Sequence, residues 1–187
     1  MIDFKVKGSH IAECRDFFDE RLGEGAYASF WTKVGGSWNP VVLPGAWYDV
    51  EIAEAALREA CSQTHDDIIE TQAAIAARNA EHDLTTIYRV FLRVAQPVRI
   101  IKAVPLLWRN YVSGADARAL SSEEGHALIE CAGVPERFED WVIGCWLGFI
   151  PCAILLAGGH DPRLKLSRKE HEAEGFSRLE FTLEYGS

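Results

Sequence analysis

The sequence predicts an α+β fold, with N-terminal helices packed on an antiparallel sheet of two hairpins in the order β-β-α-β-β and a buried central helix. Three observations predict it. From Phe176 to Tyr185, Leu179, Phe181, Leu183 and Tyr185 alternate with Glu180, Thr182 and Glu184, the two-residue period of a strand with one buried face. Trp141 to Gly159 holds no charged residue, as suits a helix enclosed on most of its circumference. Before both, apolar residues recur every three or four positions, the helical spacing. At 187 residues and 48% hydrophobic, the chain is expected to form a single domain, 1–187, around one core.

The elements follow in order. Ser9 is placed to cap a helix that buries Ile11, Cys14, Phe17 and Phe18, and Gly23 is placed to end it. A short helix through Tyr27, Phe30 and Trp31 runs to Gly35–Gly36, and the prolines between Ser37 and Ala46 make a loop. Val50, Ala53, Leu57 and Cys61 stripe the next helix. Asp66 and Asp67 open another, striped with Ala73, Ala76 and Ala80, small residues that let a second helix approach closely. A further helix is expected from about Leu84 through Ile87, Tyr88, Phe91 and Val94. Pro97 suits the first turn of one more, which buries Ile101, Val104, Trp108 and Tyr111 and should kink at Pro105. Ser122-Glu123-Glu124-Gly125 then joins two strands, Ala115–Ser121 and His126–Cys131. After the apolar helix, Arg163–Glu172 and Phe176–Tyr185 form the second hairpin about Gly175.

Charge narrows the function. The 28 acidic against 19 basic residues give a net charge of -9, which repels phosphate backbones and argues against nucleic-acid binding. Arg163, Lys165, Arg168 and Lys169 read as the solvated face of a strand. The glycines and Pro151 of the apolar helix, and the strands on either side of it, argue against a stable membrane span. Five cysteines without a CxxC pair fit reduced thiols, and the charged N-terminus does not resemble a signal peptide, so a cytoplasmic protein is expected.

Catalytic signatures are missing. No GxSxG, HExxH, phosphate loop or GxGxxG occurs, and no enzyme activity is expected. None of the six histidines forms an i, i+3 or i, i+4 pair, and each reads as an ordinary surface residue. Cys145 and Cys152 read as small buried hydrophobes. Trp108, Tyr111, Trp146 and Phe149 fall on two helices expected to face one another, where they could line a pocket for a flat or greasy ligand.

Leu84 to Gly114, with Pro105-Leu-Leu-Trp108-Arg109-Asn110-Tyr111, then the hairpin, then Trp141-Val-Ile-Gly144-Cys-Trp-Leu-Gly148, resembles an uncharacterised myxobacterial paralogous family. That family is similar to haem-NO-binding, vinyl reductase and TRAPP-like domains. The resemblance implies a scaffold without its relatives' cofactors. The zinc-binding Cys, Gly, Cys spacing of vinyl reductase domains survives only as His171, Gly175 and Leu179, so zinc is disfavoured. Haem-binding relatives need a histidine on the helix before the hairpin and a Tyr-x-Ser-x-Arg motif; neither occurs, so haem is disfavoured too. TRAPP-like relatives pair through their helices, and the stripe Ala73, Ala76, Ala80 would allow a homodimer.

The expectation is therefore a non-catalytic sensory or ligand-binding domain of the cytoplasm with no cofactor. A small apolar or lipid-like ligand would sit against Trp108, Tyr111, Trp146 and Phe149, and an unknown protein partner would read its presence. The alternative is a TRAPP-like dimeric interaction scaffold with a solid core and no ligand.

Overall fold

A computed structural model describes residues 3–86, 96–172 and 175–186. Four helices come first, α1 (Gly8–Leu22), α2 (Ala26–Lys33), α3 (Val50–Thr64) and α4 (Ile68–Thr85). After α5 (Pro97–Tyr111) the chain turns to strands, β4 (Asp116–Glu123) and β5 (His126–Pro135). It then enters α6 (Glu139–Leu156) and closes with β6 (His160–His171) and β7 (Phe176–Gly186). The four strands form one antiparallel sheet in the order β4-β5-β7-β6, so the two predicted hairpins join edge to edge through β5 and β7.

Helix ends follow the capping chemistry in most places. The Asp67 side chain accepts a hydrogen bond from the Glu70 amide at 2.9 Å and starts α4, Gly23 ends α1 with φ 104°, and Pro97 occupies the first turn of α5. α1 differs from expectation: it starts at Gly8, with no side-chain cap from Ser9. α4 is also longer than expected, passing through Leu84 to Thr85 as one helix. The rest of the separate helix expected from Leu84 to Val94 lies outside the described residues. α5 continues through Pro105 to Tyr111.

A second sheet was not foreseen. Three short strands, β1 (Lys5–Lys7), β2 (Trp47–Asp49) and β3 (Val112–Ser113), pair antiparallel in the order β2-β1-β3. They bring the start of the chain beside the end of α5. Strands of two or three residues show no period, and their partners lie far apart in the chain, so local pattern cannot reveal them.

α6 is the centre of the fold. It packs along α4 on one side and toward β6 and β5 on the other, with Trp146 stacked on Phe181 of β7 at 5.1 Å. Two glycines make the α4 contact possible: a Cβ on Gly148 would lie 2.0 Å from the Ala73 carbonyl oxygen, and one on Gly144 2.6 Å from Cβ of Gln72. The small-residue stripe of α4 is thus occupied from within the same chain, which removes the feature expected to support a homodimer. α6 is long and apolar enough to cross a membrane, yet 61% of its apolar window is buried inside the protein. Its N-terminus is tied to the sheet by Glu139, which accepts hydrogen bonds from Ser177 of β7 and Lys169 of β6.

Candidate functional site: an aromatic cavity between α4, α5 and α6

Helical spacing puts Val104, Leu107, Trp108 and Tyr111 on the inner side of α5, while α6 presents Trp146, Phe149 and Ile150 opposite them. Between them lies a cavity of about 50 Å³, closed by Ala76 and Asn79 of α4, Val6 of β1 and His10 of α1. All four aromatic residues singled out in the sequence line it. They meet in pairs, Trp108 with Trp146 at 5.4 Å between ring centroids and Tyr111 with Phe149 at 5.2 Å. Both contacts are tilted, a favourable arrangement for aromatic rings.

Polar anchors hold the wall in place. The Trp108 indole N–H donates to the Ala115 carbonyl at 3.1 Å, fixing that ring between α5 and the start of β4. The Tyr111 hydroxyl donates to Asp83 of α4 at 2.8 Å. Burial pushes the Asp83 carboxyl above its ordinary range, and the Tyr111 hydrogen bond opposes the shift.

One site residue was misread as a surface histidine. His10 is 4% exposed, its ring stands edge-on to Trp141 at 5.4 Å, and its Nε2 lies 3.1 Å from the Gln72 amide nitrogen. That amide also donates to Cys145 Sγ at 2.9 Å, and Cys14 lies 3.5 Å from the same imidazole nitrogen. With the Gln72 amide N–H turned toward it, Nε2 is the acceptor and His10 is neutral. Desolvation by burial acts in the same direction and lowers its pKa to about 4. Burial raises the thiols, Cys14 to about 12 and Cys145 further, so both stay protonated and unreactive at neutral pH. The only sequence signal for His10 was its place on the apolar side of α1, one turn before Cys14.

A second, open groove of about 470 Å³ runs past Arg109, Arg118, Gly114 and Gly133. Val112 borders both it and the cavity. Among the described residues, no group of three or more His, Cys, Asp or Glu side chains could hold a metal ion.

No known protein-family description matches the chain, and no curated protein does. Solved structures do match, in 28 chains. An oxygen-binding H-NOX domain related to soluble guanylate cyclases, in its oxygen complex, aligns with a TM-score of 0.73 at 12% identity, covering 97% of this chain and 96% of that one. This chain has the fold of an H-NOX domain. An H-NOX structure from work on haem distortion aligns with a TM-score of 0.76 at 13% identity, over 97% of this chain and 96% of that one. A point variant of the T. tengcongensis H-NOX gives 0.75 at 13% identity, over 97% and 98%.

These matches correct the expectation that haem is disfavoured and no cofactor applies. A missing histidine on α5 and a missing motif were taken to set haem aside, but the structures sharing this H-NOX fold are haem domains. The donor chemistry of the cavity meets haem only in part: a neutral imidazole is the form that ligates iron and His10 lies in the wall, but its Nε2 lone pair faces the Gln72 amide, which would have to turn away first. Space is the constraint. At about 50 Å³ the cavity is well below the roughly 300–1,000 Å³ of pockets that hold larger ligands, so a macrocycle requires the aromatic wall to move outward.

Proposed function

We propose that this chain is a non-catalytic sensory domain of the cytoplasm that takes a small apolar ligand in the cavity between α4, α5 and α6 and signals its presence to a protein partner. The observation that carries the reading is the apolar cavity itself, walled by Trp108, Tyr111, Trp146 and Phe149. The H-NOX fold supports it, because the neighbouring structures include an oxygen-binding domain related to guanylate cyclases. Val112, shared by the cavity wall and the open groove, gives occupancy a short route to the surface. A lipid-like chain would need the aromatic wall to open further. Free cysteines, four of the five buried, suit a reducing cytoplasm. The scaffold alternative predicts a solid core, and the cavity speaks against it.

Haem is the cofactor to test first, with His10 the residue that would hold it; bound haem would supply an iron site for a diatomic gas. Native mass spectrometry of protein purified without additives, repeated after denaturation, tests the general reading. A mass excess lost on denaturation supports it. Haemin titration followed by absorption then separates the cases: a Soret band shift present in wild type and absent in His10→Ala assigns haem to this site. Protein that carries no excess mass, binds no haemin and shows no tryptophan fluorescence change with xenon or short-chain hydrocarbons would refute the sensory reading.

A further inference from the structure

We propose that the cavity selects a small neutral molecule with an apolar body and one oxygen that accepts a hydrogen bond from the Trp146 indole N–H. This rests on the ligand-binding reading above and narrows it to a chemical class. None of the side chains lining the cavity is Asp, Glu, Lys or Arg, so a charged occupant would be buried without a counter-charge. The lining is nevertheless not purely apolar. Trp146 is 2% exposed and lines the cavity, with its ring stacked on Phe181, and its Nε1 finds no acceptor among the described residues. Trp108, across the same cavity, has its N–H satisfied by the Ala115 carbonyl.

A buried donor without an acceptor is uncommon in a folded protein, and an occupant that supplies the acceptor recovers what the empty arrangement forfeits. Asn79, 4% exposed and also in the wall, offers a second polar group. The volume of about 50 Å³ is a few times the roughly 10–15 Å³ that one water needs, so the occupant has a few non-hydrogen atoms. Short ketones, aldehydes and alcohols meet all three conditions.

The test uses the full chain, labelled with ¹⁵N, and three probes: xenon, acetone and isobutene. The last two match in shape and differ in one oxygen. Acetone is expected to shift the Trp146 indole N–H resonance downfield. The acetone-to-isobutene affinity ratio is expected to fall about tenfold in Trp146→Phe, the scale of one recovered hydrogen bond, and to stay unchanged in Trp31→Phe, whose indole N–H also lacks an acceptor among the described residues but lies outside the cavity. An equal ratio in wild type and Trp146→Phe overturns this inference while xenon or isobutene binding keeps the ligand-binding reading. Binding of none of the three overturns this inference, and together with no excess mass and no haemin binding it removes the ligand-binding reading as well. Should Trp146→Phe not fold, the wild-type spectrum decides, and an indole resonance unmoved by saturating acetone overturns the inference.

Discussion

His10 shows how one buried residue sets a pH dependence. Its pKa is lowered from 6.5 to about 4 in the fold, so between those values the unfolded chain binds more protons than the folded one. Stability contributed by neutral His10 is therefore complete above about pH 6.5 and is lost as pH falls toward 4, on the order of 3 kcal/mol in all. Urea midpoints at pH 7 and pH 4.5 should drop more for wild type than for His10→Gln, which has no proton to take up. Equal drops would place the acid sensitivity elsewhere. Gly148 sets a steric limit instead. Gly148→Ala brings a methyl group into the Ala73 backbone and should cost about 3 kcal/mol, the upper end for overpacking, read as a lowered Tm. Gly45→Ala, with no heavy atom within 4 Å of the added carbon, should change stability by less than about 0.5 kcal/mol. The His10 environment was illegible in the sequence because its partner Gln72 lies 62 positions away, and only the fold brings an acceptor and a donor together.

Among the elements, period decided what could be read. The alternation of β7 and the apolar run of α6 each repeat over enough residues to be unambiguous, and both stand where the pattern places them. The aromatic residues of α5 and α6 were legible for the same reason, since Trp108 and Tyr111, three positions apart, share one face of a helix, the first buried and the second partly so. β1, β2 and β3 left no such trace, although they join the first strand to the end of α5 and so close the cavity with Val6. Between elements the fold relies on a few polar links. Tyr111→Phe deletes the donor to Asp83 while keeping the ring against Phe149. It should destabilise the protein by about 1–3 kcal/mol at pH 7, where the buried Asp83 carboxylate would lose its Tyr111 donor. The loss should shrink in acid as that carboxyl protonates, and a pH-independent loss would assign the effect to packing alone.

On the scale of the whole molecule, sequence reading reached the architecture and the cavity wall but misjudged haem. Absence of a motif is a statement about one way of holding a group, whereas His10 reaches the cavity from α1, a direction no α5 motif could report. The 12–14% identity of the matched domains shows how far side chains can diverge while the fold persists.

The outer edge of the sheet has its own consequence. Among the described residues β6 pairs only with β7, which makes it an edge of the sheet, and along it stand Arg163, Lys165, Arg168 and Lys169, all exposed. A lattice of unpaired amides and carbonyls is an invitation to a neighbouring strand, and cationic side chains along the border withdraw that invitation. Growth of the sheet from molecule to molecule is discouraged at this border, so at high concentration ribbons built through β6 are disfavoured.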